Sequence, residues 1–396
     1  MSRRFLITLL TVVAIGIIGA IAIMITKGYR ISPQTGIITG TGILSVNSEP
    51  DQASVYLDDH LTTATNANIN ALVPKTYDVR IVKEGYITWE KKIEVKEGLV
   101  SEVKATLFRT IPTVYPITYT GAQMSLISPD NFKMIYVVPV SDPNDPITLK
   151  KGGVWVWETA ERQFNIGRGN EPRQIALSNG TDWTKASFRW SPDSTQVLAT
   201  FPDRQLLLET DRLNDPPKDV TLQLAATISA WDEQEKTRNT TRLNSIKDVE
   251  LRKVASSSAY LNWSPDETRI LYSQDGKDNF KVADLTSRKT YDLPKVNYYS
   301  WLPDGLHLVL VESDEPAKTP IPTPAKTVSQ SITQSSLPNS RISIVEFDGF
   351  NRSEIYIGTL DPKSIFVWPD SSRLIVVSSF PTSNASKPNL FGINLK

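Results

Sequence analysis

A short turn built on a Pro-Asp pair recurs five times, and it constrains the fold of this chain more than any other feature. Proline fixes φ at the first central position of a turn, and the aspartate beside it bonds nearby backbone groups. An apolar, β-branched run follows each copy within a few residues, which is typical of a hairpin between two strands. The copies are Ser128-Pro129-Asp130, Ser191-Pro192-Asp193, Ser264-Pro265-Asp266, Leu302-Pro303-Asp304 and Trp368-Pro369-Asp370.

The spacing of the turns indicates one repeating β unit. The third and fourth turns lie 38 residues apart, close to the ~40 residues of one propeller blade. The longer intervals on either side contain residues 225–257, which have a helical composition, and residues 313–340, which are rich in Pro, Thr, Ser and Gln. Without these segments both intervals approach one blade. We therefore predict a helical insertion and a disordered loop within a propeller.

Tryptophan immediately precedes three of the turns, at Trp190, Trp263 and Trp301. The pattern W-S-P-D followed by two strands resembles the repeats of TolB-like β-propellers, and the resemblance covers residues 110–396. It implies an all-β domain of five or six blades, and we expect residues 114–119 to supply the outer strand of the last blade. The helical insertion either protrudes as a partner-binding hairpin or packs over the propeller, and we favour packing.

The start of the chain predicts a membrane span. Residues 5–26 are continuously apolar and uncharged, long enough to cross a bilayer core of ~30 Å as a helix. Arg3 and Arg4 precede this run, so we predict a single-pass anchor within residues 1–30, with a cytoplasmic N-terminus and extracytoplasmic domains. The alternative is a cleaved signal peptide, because Ala20-Ile21-Ala22 has the spacing of a cleavage site. Residues 31–40 form a spacer.

Residues 41–108 alternate apolar and polar positions in short runs broken by turn residues, which predicts a small β-sandwich. They resemble the PEGA domain, and Gln52 and Asp59 replace two glycines of its pattern. Asp tolerates a left-handed turn conformation, whereas Gln52 leaves the local turn geometry open. The matching positions are Ser48, Pro50, Ala53, Val55, Leu57, Asp58, Leu72, Pro74, Tyr77, Val79, Lys83, Glu84, Gly85, Tyr86 and Trp89.

Composition and motifs argue against most catalytic chemistry. Cysteine is absent and histidine occurs only as His60 and His307, so Cys-ligated metals are excluded and Ser–His–Asp catalysis has little material. Basic and acidic residues balance at 43 each, which argues against a nucleic-acid binder. The strands before the turns carry no Asp or Glu, unlike a glycosidase site. We predict no catalytic residue, no cofactor and no metal, and we interpret the repeated turn residues as structural.

Neutral hydrogen-bonding and aromatic side chains before the turns, Asn262, Tyr298 and Tyr299, are the candidate binding residues. The expected function is that of a non-catalytic, membrane-anchored scaffold or binding protein of a bacterial cell envelope, whose propeller recognises a protein or a polysaccharide. One alternative is a propeller enzyme, either a glycosidase or a regulator of a hydrolase in trans. Another is a sensor that contacts a second membrane protein through its short N-terminal tail.

Overall fold

The structure is a computed structural model that describes residues 3–26, 29–31, 38–159, 171–277, 279–313, 337–379 and 388–396. It divides into two compact units, Met1–Ile111 with Lys396, and Pro112–Leu395. Strands dominate both units, so the mainly β prediction is confirmed. The predicted disordered loop 313–340 lies outside the described residues, apart from residue 313, which is the last of a strand, and residues 337–340, which run into the next strand.

Helix α1 (Arg3–Thr26) covers the apolar run at the start of the chain. Across the described residues, however, no helix is long and apolar enough to span a membrane. This finding contradicts the predicted single-pass anchor, with its cytoplasmic N-terminus and extracytoplasmic domains, and that prediction is corrected here.

The first unit continues with a two-stranded hairpin and two larger sheets. The sheet orders are β1-β2, β6-β3-β9 and β5-β4-β7-β8, and β3 pairs with β9 in parallel. Alternate apolar residues face a shared core that includes Leu44, Ile81 and Trp89. The strands are β1 (Tyr29–Ile31), β2 (Ile38–Gly40), β3 (Gly42–Glu49), β4 (Ser54–Leu57), β5 (His60–Ala64), β6 (Ala67–Leu72), β7 (Lys75–Val82), β8 (Trp89–Val95) and β9 (Val100–Thr106).

Two positions where the sequence lacks the expected glycine adopt left-handed backbone conformations. Gln52 has φ 57° and Asp59 has φ 64°, a region that costs most L-residues roughly 1–2 kcal/mol. The turn geometry therefore survives without glycine, because the strands on either side hold it. Val55 and Val79, which belong to the paired strands β4 and β7, are both buried.

The described residues of the second unit form five four-stranded antiparallel sheets, and each of the first four contains consecutive strands. We call the sheets blades and number them along the chain. The first holds β11 (Gln123–Ile127), β12 (Lys133–Val138), β13 (Gly153–Glu158) and β14 (Arg173–Leu177); the second β15 (Ser187–Trp190), β16 (Gln196–Thr200), β17 (Gln205–Glu209) and β18 (Lys218–Asp219); the third β19 (Tyr260–Trp263), β20 (Arg269–Ser273), β21 (Lys281–Asp284) and β22 (Lys289–Asp292); the fourth β23 (Tyr298–Trp301), β24 (His307–Ser313), β25 (Asn339–Glu346) and β26 (Ser353–Thr359).

The fifth blade closes the ring with strands from both ends of the second unit. Its order is β10-β29-β28-β27, built from β10 (Val114–Pro116), β27 (Phe366–Val367), β28 (Arg373–Ser378) and β29 (Asn389–Asn394). Val114 pairs with Ile393 and Tyr115 with Gly392, as expected for an outer strand contributed by residues 114–119. This pairing gives the fifth blade the four strands that the other blades have and joins the start of the second unit to its end.

Neighbouring blades contact each other through the tryptophans that precede the turns. The indole Nε1 of Trp190 in the second blade donates to the carbonyl oxygen of Leu126 in the first, at 3.2 Å. Trp301 in the fourth blade donates in the same way to Asn262 in the third, at 3.4 Å. Both acceptors lie two residues before the turn of the preceding blade, so the bond repeats with the blade geometry.

Two helices separate the second and third blades. They are α3 (Leu224–Ser245) and α4 (Val249–Ser257), preceded by a 3₁₀ turn at Thr221–Gln223. Trp231 of α3 packs against Leu198 and Leu207 of the second blade, and Ala255 of α4 packs with Ile270 of the third. The helical insertion thus packs against both blades rather than protruding from them.

The third-blade tryptophan shows the consequence of this insertion. Trp263 occupies the position of Trp190 and Trp301, yet its buried Nε1 has no hydrogen-bond partner among the described residues. By analogy with the other blades, its acceptor would be the carbonyl of Arg189 in the second blade. The Arg189 side chain contacts the insertion, because its guanidinium Nη2 donates to Oδ1 of Asp232 in α3 at 2.6 Å. The tryptophan bond that links the other blades is thus missing at the position where the helices are inserted.

Replacing Trp231 with alanine tests whether the helical insertion is part of the core. The Trp231 side chain is 7% exposed, so Trp231→Ala should lower the free energy of unfolding by about 3–5 kcal/mol in urea titrations. The matched control is Leu222→Ala, because Leu222 precedes the same helix but is 95% exposed. The control should change stability by under about 0.5 kcal/mol. Similar small losses in both variants would mean that the insertion protrudes.

Candidate functional site

The five repeated turns share one hydrogen-bond geometry. Oδ1 of each turn aspartate accepts the backbone N–H of the residue two positions later, at 2.8–3.2 Å. The residue after each aspartate has a positive φ, between 56° and 66°. In the first three turns the serine hydroxyl also donates to the carboxylate, at 2.5–2.6 Å. These carboxylates are engaged in holding the hairpins. The residues concerned are Pro129, Asp130, Pro192, Asp193, Pro265, Asp266, Pro303, Asp304, Pro369 and Asp370.

The fourth turn lacks the serine, and a histidine takes over its contact. Leu302 stands in the serine position, and Nδ1 of His307 lies 2.7 Å from Oδ2 of Asp304. Burial alone would raise the pKa of the Asp304 carboxyl. The hydrogen bonds from the His307 ring and from the backbone N–H groups of Leu306 and His307 outweigh burial and hold this pKa below its usual value. His307 is therefore a buried part of the turn.

The three predicted binding residues lie in the inner strands of the third and fourth blades, with different exposures. Tyr299 is 1% exposed and packs against Phe280, and its hydroxyl donates to the carbonyl oxygen of Pro294. Tyr298 is half-buried, and burial raises the pKa of its phenol to about 12. Asn262 is also half-buried, with Nδ2 3.4 Å from the Tyr260 hydroxyl. Tyr299 is a core residue, because its ring faces the neighbouring blade.

A cleft of about 390 Å³ lies where the ring closes, between the first blade and the segment that follows β10. The first blade meets the cleft at the end of β12, which is the end farthest from its Pro-Asp turn. The loop after β12 carries a short helix, α2 (Pro146–Lys151), which forms one wall. The lining residues are Tyr119, Thr120, Gly121, Val138, Pro139, Ser141, Ile147, Thr148, Lys151 and Asn389.

Hydrogen bonds fix the wall formed by residues 117–121, the closing segment that follows β10. Oδ1 of Asn389 accepts from the Thr118 hydroxyl at 3.1 Å and from the Gly121 N–H at 2.9 Å. The Thr118 hydroxyl in turn accepts the backbone N–H of Leu390 at 2.9 Å. These contacts hold the neighbouring Tyr119 at the surface, where its side chain is 82% exposed. No sequence pattern indicated this wall, because Thr118 and Asn389 are far apart in the chain.

The opposite wall is fixed by the caps of α2. The Asp145 carboxylate accepts the Ile147 N–H at 3.0 Å, and the Thr148 hydroxyl donates to the Asp142 carbonyl at 2.6 Å. The Trp155 indole donates to the Lys151 carbonyl at 2.9 Å. The Asp142 carboxylate accepts the Asn144 N–H at 2.8 Å, so the carboxylates of both aspartates bond the backbone of this loop. Among the described residues, no group of three or more His, Asp or Glu side chains has an arrangement that could hold a metal ion.

Comparison with known proteins supports the division into modules. Residues 41–111 match the family model of the PEGA domain, so the resemblance of the first unit to that domain is confirmed. No curated protein matches the chain.

Similar solved structures include TolB-like propellers. TolB from Acinetobacter baumannii is 10% identical, with 91% of this chain and 66% of that chain covered and a TM-score of 0.23. A TolB protein from Agrobacterium tumefaciens is 11% identical, with coverage of 87% and 99% and a TM-score of 0.23. The propeller domain of the Trilobed protease from Pyrococcus furiosus is 13% identical, with coverage of 70% and 72% and a TM-score of 0.23. The five sheets and their pairing order, rather than these likenesses, identify the second unit as a propeller.

The contact between Asp304 and His307 predicts a pH-dependent stability. Because the folded-state pKa of Asp304 is depressed, its contribution is present above the ordinary Asp pKa of ~3.9 and is lost as the pH falls through the folded value. Asp304→Asn should lower the free energy of unfolding at neutral pH by about 1–3 kcal/mol. It should also reduce the loss of stability in acid, as followed by urea unfolding across the acid range.

The control for this prediction is Asp370→Asn in the fifth turn. The carboxylate of Asp370 bonds the backbone N–H of Ser372 at 2.8 Å, and the fifth turn has no histidine in the position of His307. Its substitution should cost less and should leave the acid profile of the wild type in place. Equal losses and identical pH profiles for the two variants would contradict a special role for the histidine.

Proposed function

We propose that this chain is an envelope-associated, non-catalytic binding or scaffold protein whose propeller recognises a polysaccharide or a protein at the seam cleft, defined by the ten lining residues given above. The PEGA domain then serves as a second structural module of the scaffold. The observation that carries the proposal is the cleft itself. An exposed aromatic ring, hydroxyl groups and an amide converge there on walls fixed by hydrogen bonds, which suits recognition.

The chemical character of the cleft favours binding over turnover. Its described lining contains hydroxyl, amide and apolar groups, and its titratable side chains are Tyr119 and Lys151. Glycoside hydrolysis uses a pair of carboxylates, one as proton donor and one as nucleophile or base. The lining offers no such pair. A glycosidase, or a propeller that regulates a hydrolase in trans, is the competing proposal.

The proposal is tested with the purified full-length chain and matched panels of polysaccharide fragments and peptides. Calorimetry measures binding, and product analysis on the same samples measures turnover. We expect at least one panel member to bind without being converted. Tyr119→Ala should weaken its affinity about tenfold, since exposed aromatic anchors at binding sites commonly carry 1–2 kcal/mol.

Phe132→Ala is the matched control for this experiment. Phe132 is a second exposed aromatic residue, but it belongs to the first blade and follows the Pro-Asp turn at the other end of β12. Its substitution should leave the affinity unchanged. Conversion of any panel member that is abolished by substituting one carboxylate would replace the binding proposal with the enzymatic one, and no binding to either panel would refute it.

A further inference from the structure

We propose that the seam cleft selects a carbohydrate that carries an anionic group, and that Lys151 is the cation that pairs with this group. The inference rests on the proposed binding function and deepens it by naming the ligand class. Lys151 is the one charged side chain among the ten lining residues, and none of them is a carboxylate. The ion pairs of the described residues do not include Lys151, whose side chain is exposed and lines the cleft.

The backbone of Lys151 is held in place on both sides. Its carbonyl accepts the Trp155 indole N–H, and the next residue, Gly152, donates its N–H to the Thr148 carbonyl at 2.8 Å. The ammonium group of Lys151 therefore lies at the end of a flexible side chain whose backbone is held in place. Its pairing with a sugar carboxylate or sulfate therefore depends on how the sugar is oriented in the cleft.

The other groups of the cleft suit a sugar better than a peptide. Tyr119 offers an exposed aromatic face with a polar tip, and Thr120, Ser141 and Asn389 bring hydroxyl and amide groups to the same space. Peptides are commonly bound by an unpaired strand edge, by an apolar groove or by a cluster of arginines. The described lining contains loops, one short helix and the ends of β12 and β29, two strands that are paired on both sides, and it contains no arginine.

The position of the cleft couples binding to closure of the ring. Gly121 and Asn389 come from the closing segment and the fifth blade, whereas Thr148 and Lys151 come from the first blade. A ligand that contacts both walls binds the closed ring and not the unfolded chain. It must therefore raise the apparent stability of the second unit in proportion to its affinity.

The experiment measures binding of four probes to the full chain. The probes are an oligomer of glucuronic acid, its carboxyl-reduced glucose counterpart, a sulfated glucose oligomer and an oligoglutamate peptide. The anionic sugars should bind about five- to tenfold more tightly than the neutral one at low salt. They should also raise the melting temperature more, and the two anionic arms show whether a carboxylate or a sulfate is preferred.

Lys151→Gln should remove this preference, whereas Lys150→Gln, a neighbour on the same helix outside the lining, should preserve it. Equal binding of neutral and anionic sugars to the wild type would overturn the inference while leaving the proposed function intact. Tighter binding of oligoglutamate than of any sugar would also overturn it. Failure of every probe and of both panels above would refute the proposed function itself.

Discussion

The pairing of β10 with β29 is the interaction on which the rest of the second unit depends. It joins the two ends of a chain segment that otherwise builds each blade from consecutive strands, and it supplies the fourth strand of the last blade. Without it the fifth blade would have three strands, with β29 at its edge. The same pairing brings the Thr118 hydroxyl to Asn389 and so creates one wall of the cleft. Architecture and candidate site therefore have a common origin.

Of the three tryptophans that precede the turns, one lacks the hydrogen bond to the preceding blade in the described structure. Trp190 and Trp301 bond the preceding blade directly, whereas Trp263 faces the helical insertion and its N–H finds no acceptor. The helical insertion is held to the second blade by the buried Trp231 side chain and by the ion pair between Arg189 and Asp232. The helices pack against the second blade through Trp231 and against the third through Ala255, so the insertion lengthens one repeat and is still part of the packed structure.

The sequence predicted the elements that repeat and missed those that depend on distant contacts. The Pro-Asp turns located the hairpins because local hydrogen bonds specify them, and the PEGA pattern located the first module. Tyr298 and Tyr299 illustrate the limit, since adjacent residues of a strand face opposite sides and the pattern did not indicate which one is buried. The cleft was missed because Tyr119, Lys151 and Asn389 meet only after closure. The apolar run at the start of the chain led to an anchor that the described structure does not support.

A disulfide across the seam tests ring closure most directly, because the chain contains no cysteine of its own. Val114 and Ile393 are paired on β10 and β29, at a separation that antiparallel partners share with disulfide-linked residues. The double variant Val114→Cys with Ile393→Cys should oxidise to an intramolecular disulfide in the monomer and raise the unfolding midpoint under oxidising conditions. Thiols that stay reduced, or that link only between molecules, would show that the two strands do not pair and would contradict the closed five-bladed ring.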